Sequence, residues 1–298
     1  MEKKKKKKYS RTDKVILGIG FTILGLFVLS IAIPIIYVVL ASFMDPTVLN
    51  NQGLSFNIKD WTLDAYRRVL ENEMIWRGFL NSFLYSLAFT VISVFVTLLA
   101  AYPLSKKEFV GRKIFNIIFL ITMFFGGGMI PTFLLYKQLG LTNSFGVYVI
   151  PGMVSAFNML VIRTYMNGIS DSLEESAQLD GAGYTTIFLK IYSPLCKPVY
   201  ATVALFVAVG QWNSWFDAML YNRMNSNLTT LQYELMKLLS SVTNQGTSVE
   251  AMKNAAGSVT PTSVRAAATI ITMLPIICIY PFLQKYFVAG LTLGGVKE

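Results

Sequence analysis

The sequence predicts an all-α, polytopic membrane protein with six transmembrane helices and both ends on the same side. Composition, the spacing of apolar segments and the placement of basic charge carry that prediction. The 298-residue chain is 54% hydrophobic, has a mean hydropathy of +0.52 and is only 14% charged, where soluble domains average about 25% charged residues. Apolar segments fall at 15–40, 79–101, 114–136, 144–166, 199–221 and 266–287. Each is long enough to supply the about 20 helical residues that cross about 30 Å of hydrocarbon. With the N-terminus inside, 17 of the 26 Lys and Arg fall on inner segments or the inner ends of spans and 9 on outer segments. The positive-inside rule then favours an N-in, C-in arrangement with the segment between the fourth and fifth spans in the cytosol.

The first 14 residues form a basic cytosolic tail, with Lys3 to Lys8 unbroken. Most of the net charge of +10 comes from this tail and the inner-segment bias. A topogenic, lipid-attracting role accounts for such a run better than nucleic-acid binding does. The segment 15–40 is too long for the apolar region of a signal peptide, and no small-x-small cleavage pattern follows it, so it reads as an uncleaved first span. Between it and the second span, Trp61, Tyr66 and Trp76 suit a packed interfacial segment. Lys106, Lys107, Arg112 and Lys113 flank a short inner turn. The third span carries Gly126, Gly127, Gly128 and Pro131, which serve either close helix packing or a hinge.

The stretch EESAQLDGAGYTTIFLKIYSP, from Glu174 to Pro194, is the most informative of the chain. Ser172-x-x-Glu175 has the pattern of a capping box. Leu173, Ala177 and Leu179 give the first short helix a small apolar side. Gly181-Ala182-Gly183 breaks it, because glycine permits positive φ. A second short helix over 184–192 places Ile187, Phe188 and Ile191 on one side, and Pro194 ends it. Each piece is shorter than the roughly 12–15 residues at which isolated helices become marginal in water. The element therefore needs a surface to dock on.

In the fifth span, Gly210, Asn213, Ser214 and Asp217 recur at i, i+3, i+4 and i+7, which predicts one small, polar helical face. A carboxylate in a span is costly enough that Asp217 should face protein or water. The face either lines a translocation path, with Trp212, Trp215 and Phe216 available to stack on sugar rings, or bonds neighbouring helices. The segment 222–265, rich in Asn, Ser, Thr and Gly, is either a docking surface or a tolerant loop. Residues 290–298 are Gly-rich and expected to be non-helical and inside.

Several chemistries are absent from the sequence. There is no His, which removes the commonest general base and metal ligand. Neither Cys196 nor Cys278 lies in an outer loop, so no disulfide framework is indicated. No G-x-x-x-x-G-K-[ST] occurs, so the chain is not its own P-loop ATPase.

The 174–194 stretch resembles the EAA loop of importer-type ATP-binding-cassette (ABC) permeases. Glu175, Ala177, Asp180, Gly181, Ala182, Phe188, Ile191 and Pro194 hold the places of that pattern, and Ser176 stands where Ala is usual. The resemblance covers the chain from Ile33 onward. Trp212-Asn213 and the Gly-Leu-Thr-x-Gly-Gly-Val-Lys ending at Lys297 are similar to the maltose-type carbohydrate branch. GGGMIPTFLLYKQLGL, WNSWFDAMLY and YPFLQKYF resemble permeases that import oligosaccharides or uronate-containing glycans. The resemblance implies the type I ABC importer permease fold in a bacterial cell membrane: a six-helix domain over 15–289 with a coupling loop at 171–194, and a cytosolic tail over 290–298. It implies a second, different permease, two ATP-binding subunits and an extracellular solute-binding lipoprotein as partners. Substrate would be an oligosaccharide. ATP and Mg would be held by the partner ATPase, with no cofactor or metal on this non-catalytic chain. Glu174, Glu175, Ala177, Asp180, Gly181, Ala182, Phe188 and Pro194 would serve ATPase coupling, with Glu175 meeting a basic residue there. Gly290, Gly294, Gly295 and Lys297 would lie against the ATPase. Gly210, Trp212, Asn213, Ser214, Trp215 and Asp217 would be pathway candidates. A stand-alone secondary transporter usually needs intramembrane ionisable groups, of which Asp217 is the clear candidate. An ABC permease for a non-sugar solute is the other alternative.

Overall fold

The computed structural model describes residues 10–245 and 261–295. Among them the chain is helical and divides into two units, residues 10–71 with 242–245 and 261–271, and residues 72–241 with 272–295.

In the first unit, α1 (Arg11–Phe43) begins where Asp13 accepts a hydrogen bond from the Ser10 amide at 3.0 Å, and it runs through Pro34. Its apolar window is unburied within the chain, as expected of a helix that meets lipid or another protein. Beyond it the chain packs tightly. Asp45 caps α2 (Pro46–Gln52) through the amides of Thr47 and Val48. Phe43 meets the rings of Trp61 and Tyr66, as the aromatic content predicts for this segment, and Tyr66 shares a 2.7 Å hydrogen bond with buried Ser42. A short helix, α3 (Asp64–Leu70), completes the segment.

The second unit is built on α4 (Glu73–Ser105), against which α7 (Ala156–Met166) and α10 (Lys197–Trp212) pack. Its main core joins Ala101, Leu104, Met159, Ile162, Met166, Ile187, Tyr192, Cys196, Val199 and Val203. A second cluster, around Tyr85, Tyr148, Ala218 and Tyr221, lies further along α4.

Four sequence expectations need correction. The third segment is two helices, α5 (Arg112–Phe124) and α6 (Met129–Gln138), bent by 114°. Gly128 there takes φ +84°, and a Cβ on Gly126 would meet nothing within 4 Å. The glycines therefore serve a break and not close packing. The segment 144–166 is helical only over α7, preceded by a single turn at Phe145–Tyr148 and irregular backbone over 149–155. The run from α9 (Tyr184–Leu195) into α10 does not end at Pro194. It bends by 74° at Cys196, where Pro194 and Pro198 each remove a backbone donor. The last helix, α13 (Pro261–Gly295), continues through Gly290, Gly294 and Gly295, where the sequence predicts non-helical backbone. Each Gly costs about 1 kcal/mol relative to Ala, too little to stop a long established helix.

Among the described residues three helices are long and apolar enough to cross a membrane, or up to five if each bent pair is one span.

Candidate functional site

The loop between α7 and α10 carries the site. Its first helix, α8 (Asp171–Leu179), starts before the expected cap at Ser172. Ser172 is inside the helix, its hydroxyl 2.7 Å from that of Ser170, so the Ser172–Glu175 box does not form. Asp171 and Glu174 occupy the first turn, where negative charge suits the helix dipole. The helix closes on Gly181 at φ +80°. The Ala182 amide donates to the Ala177 carbonyl at 2.9 Å and the Gly181 amide to that of Gln178 at 3.0 Å. This is the paired bonding of a Schellman close, which needs a left-handed residue at Gly181's position.

The following helix, α9, contains a π-turn over Phe188–Tyr192. Ile187 and Tyr192 enter the main core, with Phe188, Ile191, Ala177 and Ala182 packed against it. The predicted apolar side is thus present, and its receptor is the chain's own α4–α7–α10 core. Leu179, assigned to that side by sequence, is 90% exposed instead.

Polar ties fasten the loop to the end of α4, with one cation held between a carboxylate and two rings. Lys106 Nζ lies 2.5 Å from Glu174 Oε2, with both side chains largely buried, and 3.7 Å and 4.6 Å from the ring centroids of Tyr192 and Tyr102. The Tyr192 hydroxyl donates to the same carboxylate oxygen at 2.8 Å. Burial, reinforced by that bond, pushes the Tyr192 phenol up. Lys107 pairs with Asp171 at 2.8 Å, which raises the lysine and lowers the carboxyl. Tyr102 donates to the Tyr184 carbonyl at 3.1 Å, and Tyr184 to Glu108 at 3.1 Å.

The outer face of the loop is open. Glu175, Asp180, Gly181 and Pro194 are exposed, and Glu175 borders a polar cleft of about 410 Å³ with Lys107, Arg112 and Gln178. Glu174 and Glu175 therefore have different surroundings: the first is held internally and the second faces out. Sequence reasoning missed Lys106, Tyr102 and Tyr192. Lys106 entered only as topogenic charge, although its place at the end of a span, opposite a loop rich in carboxylates, is a usable signal.

The pathway candidates do not share one helical face, because α10 ends at Trp212 and the chain is irregular at 213–215 before α11 (Phe216–Tyr221). Trp212 is buried, edge-on to Phe79, and donates to the Thr272 carbonyl at 3.0 Å. Its ring is thus committed to packing and is not available for sugar stacking. Asn213 accepts from Gln232 at 3.2 Å, the Ser214 carbonyl from Thr230, and Asp217 from the Ser214 hydroxyl at 3.4 Å. Trp215 packs on Phe216, and Gly210 is exposed.

Of the 222–265 segment, residues 246–260 lie outside the described residues, and the part from Asn222 to Gln245 is no slack loop. Asn81 donates to the Asn227 and Thr229 carbonyls, and Tyr85 and Tyr148 both donate to that of Leu228. Arg77 also bonds Asn227. Helix α12 (Leu231–Gln245) follows, with its first amide held by Ser82. Gly290, Gly294 and Gly295 lie in α13, and Lys297 lies outside the described residues. No group of His, Cys, Asp and Glu that could hold a metal occurs among the described residues.

No family model matches the chain. Curated relatives do. It is 34% identical over 93% of its length to the polygalacturonan/rhamnogalacturonan transport system permease protein YtcP of Bacillus subtilis, covering 96% of that protein. It is 37% identical to the protein LplC of the same organism, covering 89% of each. A chain from the crystal structure of a bacterial ABC transporter involved in the import of the acidic polysaccharide alginate superposes with a TM-score of 0.84 at 33% identity, over 95% of this chain and 100% of that one. The chain belongs to the permease family of carbohydrate ABC transporters, in the branch that holds LplC and YtcP, and is a multi-pass bacterial membrane protein.

Proposed function

We propose that this chain is one of two different permeases forming the pore of an ATP-driven oligosaccharide importer, and that the 171–194 loop couples it to a separate ATPase. The observation that carries the reading is the two-sidedness of the loop. One side is fixed to the chain's own core through Ile187, Tyr192 and the Lys106–Glu174 pair. The other presents Glu175, Leu179, Asp180 and Gly181 outward. A short helix pinned beneath and bare above is built to transmit force from a second protein.

In this reading the chain crosses the membrane six times, N-in and C-in. The bent α5–α6 pair counts as one crossing, the 145–166 segment as another, and α10 with α11 as a third. Glu175 meets a basic residue of the ATP-binding subunit, while Glu174 acts from within by holding the loop. The end of α13 lies near the same subunit. Two ATP-binding subunits hold ATP and Mg, and an extracellular binding protein delivers the glycan. The relatives' polygalacturonan, rhamnogalacturonan and alginate point to uronate-containing glycans as the substrate class.

Purification from native membranes in mild detergent, with mass spectrometry of what accompanies the chain, tests this. A second permease and an ATP-binding subunit are expected. Recovery of the intact chain alone under several gentle detergents would refute it.

A further inference from the structure

The geometry points to a saccharide-ring site inside this chain, halfway along its helices, where α4, α7 and α10 meet. It rests on the glycan-importer reading and adds a place where the substrate touches this chain.

Depth comes first. Helix α7 has 11 residues, so its N-terminus lies about 16 Å from its Met166 end at 1.5 Å per residue. Ser93, counted back from the end of α4 at Ser105, lies about 18 Å in by the same rise. Both distances are roughly half of a 30 Å hydrocarbon layer. The backbone before α7 is irregular over 149–155. Irregular backbone at membrane depth persists only where protein buries it or where it lines a polar cavity.

A cavity of about 310 Å³ is there, lined by Phe89, Ser93, Phe157, Asn158, Phe206 and Gln211. Ser93 is 1% exposed and Asn158 9%. The Ser93 hydroxyl and the Asn158 carboxamide have no hydrogen-bond partner among the described residues. Gln211 gives its amide to the Tyr148 carbonyl at 3.1 Å and keeps its own carbonyl oxygen free. The buried Ser93 and Asn158 groups and the half-buried Gln211 carbonyl open on one cavity and together mark a place built for a hydrogen-bonding guest.

The chemistry of the walls selects the guest. No charged side chain lines the cavity, so the site does not recognise a carboxylate through an ion pair. Phe89, Phe157 and Phe206 offer apolar ring faces beside the polar groups. A pyranose ring has C–H faces and peripheral hydroxyls, which match such a wall. The volume is at the low end of the about 300–1,000 Å³ typical of small-molecule sites, which suits one ring of a longer glycan. Gly152 fixes the arrangement: a Cβ there would lie 2.9 Å from Phe89 Cζ, so glycine lets that ring rest against backbone.

The test uses the complete transporter with its partner subunits in proteoliposomes. In a Cys278→Ser background, Ser93→Cys is treated with a charged, water-soluble methanethiosulfonate, with and without trigalacturonate, an alginate trisaccharide or maltotriose. Expected is modification that slows at least fivefold with whichever sugar the parent transports. Asn158→Leu is expected to raise the KM for that sugar at least tenfold, whereas Val110→Cys, 91% exposed in the turn between α4 and α5, labels without sugar protection. A thiol at position 93 that reacts only with a membrane-permeant maleimide overturns the site. So does one left unprotected by a transported sugar, together with an unchanged KM for Asn158→Leu. If the parent transports none of the three, the glycan reading fails first and the site with it.

Discussion

Replacing Lys106 by Met is expected to loosen the 171–194 loop more than replacing Glu174 by Gln, although both break the same ion pair. The reason lies in what each change leaves behind. In Lys106→Met the Glu174 carboxylate keeps only the Tyr192 hydroxyl, in a pocket where its side chain is 14% exposed. Breaking a fully buried pair from one side costs about 3–5 kcal/mol. The residual exposure brings this to roughly 2–3 kcal/mol once solvent screening is allowed for. The two aromatic faces also lose their cation, worth about 0.5–2 kcal/mol. In Glu174→Gln the ammonium stays against the rings of Tyr192 and Tyr102, and the new carboxamide still accepts from Tyr192. That change should cost about 1–2 kcal/mol, the difference between a hydrogen bond to a charged group and a neutral one. Hydrogen exchange of the amides in 173–180 reads the local opening directly. At about 1.4 kcal/mol per factor of ten, Lys106→Met should speed exchange roughly 30-fold or more and Glu174→Gln about 5- to 25-fold. The exchanged pair, Lys106→Glu with Glu174→Lys, should recover only part of the protection, because a carboxylate over two ring faces meets their negative quadrupole. Equal exchange in both single variants, or full recovery in the exchanged pair, would refute the assignment of a role to the rings.

Gly181→Val should leave the protein in the membrane and abolish transport, because its φ of +80° is a genuine outlier for a β-branched residue. Gly181→Asn, which tolerates left-handed backbone, should retain most uptake; a Cβ meets no neighbour there, so the effect is of backbone alone. Gly78→Ala should lower thermal stability by about 1–3 kcal/mol through overpacking, because its Cβ would press within 3.0 Å of the Leu231 backbone; an unchanged melting curve would mean that the start of α12 is not held against α4. The Lys107–Asp171 tie sets a pH window. The depressed Asp171 carboxyl contributes above its unfolded value near 3.8 and loses that contribution as pH falls through its lower folded value. The raised Lys107 contributes below 10.5 and loses its contribution as pH rises through its higher folded value. Proteolytic susceptibility of the loop should therefore be flat between about pH 5 and 9 on account of this pair, with any rise below the carboxyl range absent in Asp171→Asn.

The helices at 15–40 and 79–101 are legible because a long apolar run without a breaker has few alternatives to a spanning helix. The segment 144–166 looks just as apolar, yet hydropathy reports burial in lipid or protein and not helical backbone; the Pro151-Gly152 pair is the local cue to its break. The polar face from Gly210 to Asp217 fails for a related reason, since an i, i+7 relation holds only in an unbroken helix, and the chain leaves the helix at Asn213. In the 171–194 loop, spacing alone places Ile187, Phe188 and Ile191 on the packed side. The start of α8 is harder to read, because two serines, Ser170 and Ser172, compete for the cap and Glu174 is engaged by Lys106. The firm hold on residues 227–229 has no local signal. Its donors, Asn81, Tyr85 and Tyr148, are at least 80 residues away in the chain.

The distribution of breaks says how a push on the loop would travel. Ile187, Tyr192 and Cys196 belong to the same buried cluster as Ala101, Met159, Ile162 and Val203. Close-packed interiors deform little and transmit displacement. The loop, the end of α4, all of α7 and the first half of α10 therefore move as one piece. The 74° bend at Cys196 is locked inside that cluster, whereas the irregular stretches at 149–155 and 213–215 and the Gly126–Gly128 break lie outside it. Rotation is absorbed where backbone is already broken, so a displacement of α8 should reach the cavity beside Ser93 undiminished and be taken up beyond it. Cross-linking α8 to the end of α4, through Lys107→Cys with Asp171→Cys, should then leave transport intact, because it joins parts that already move together. Loss of transport in that cross-linked form, restored by reduction, would show that α8 slides on α4 during the cycle and that the two do not form a rigid block.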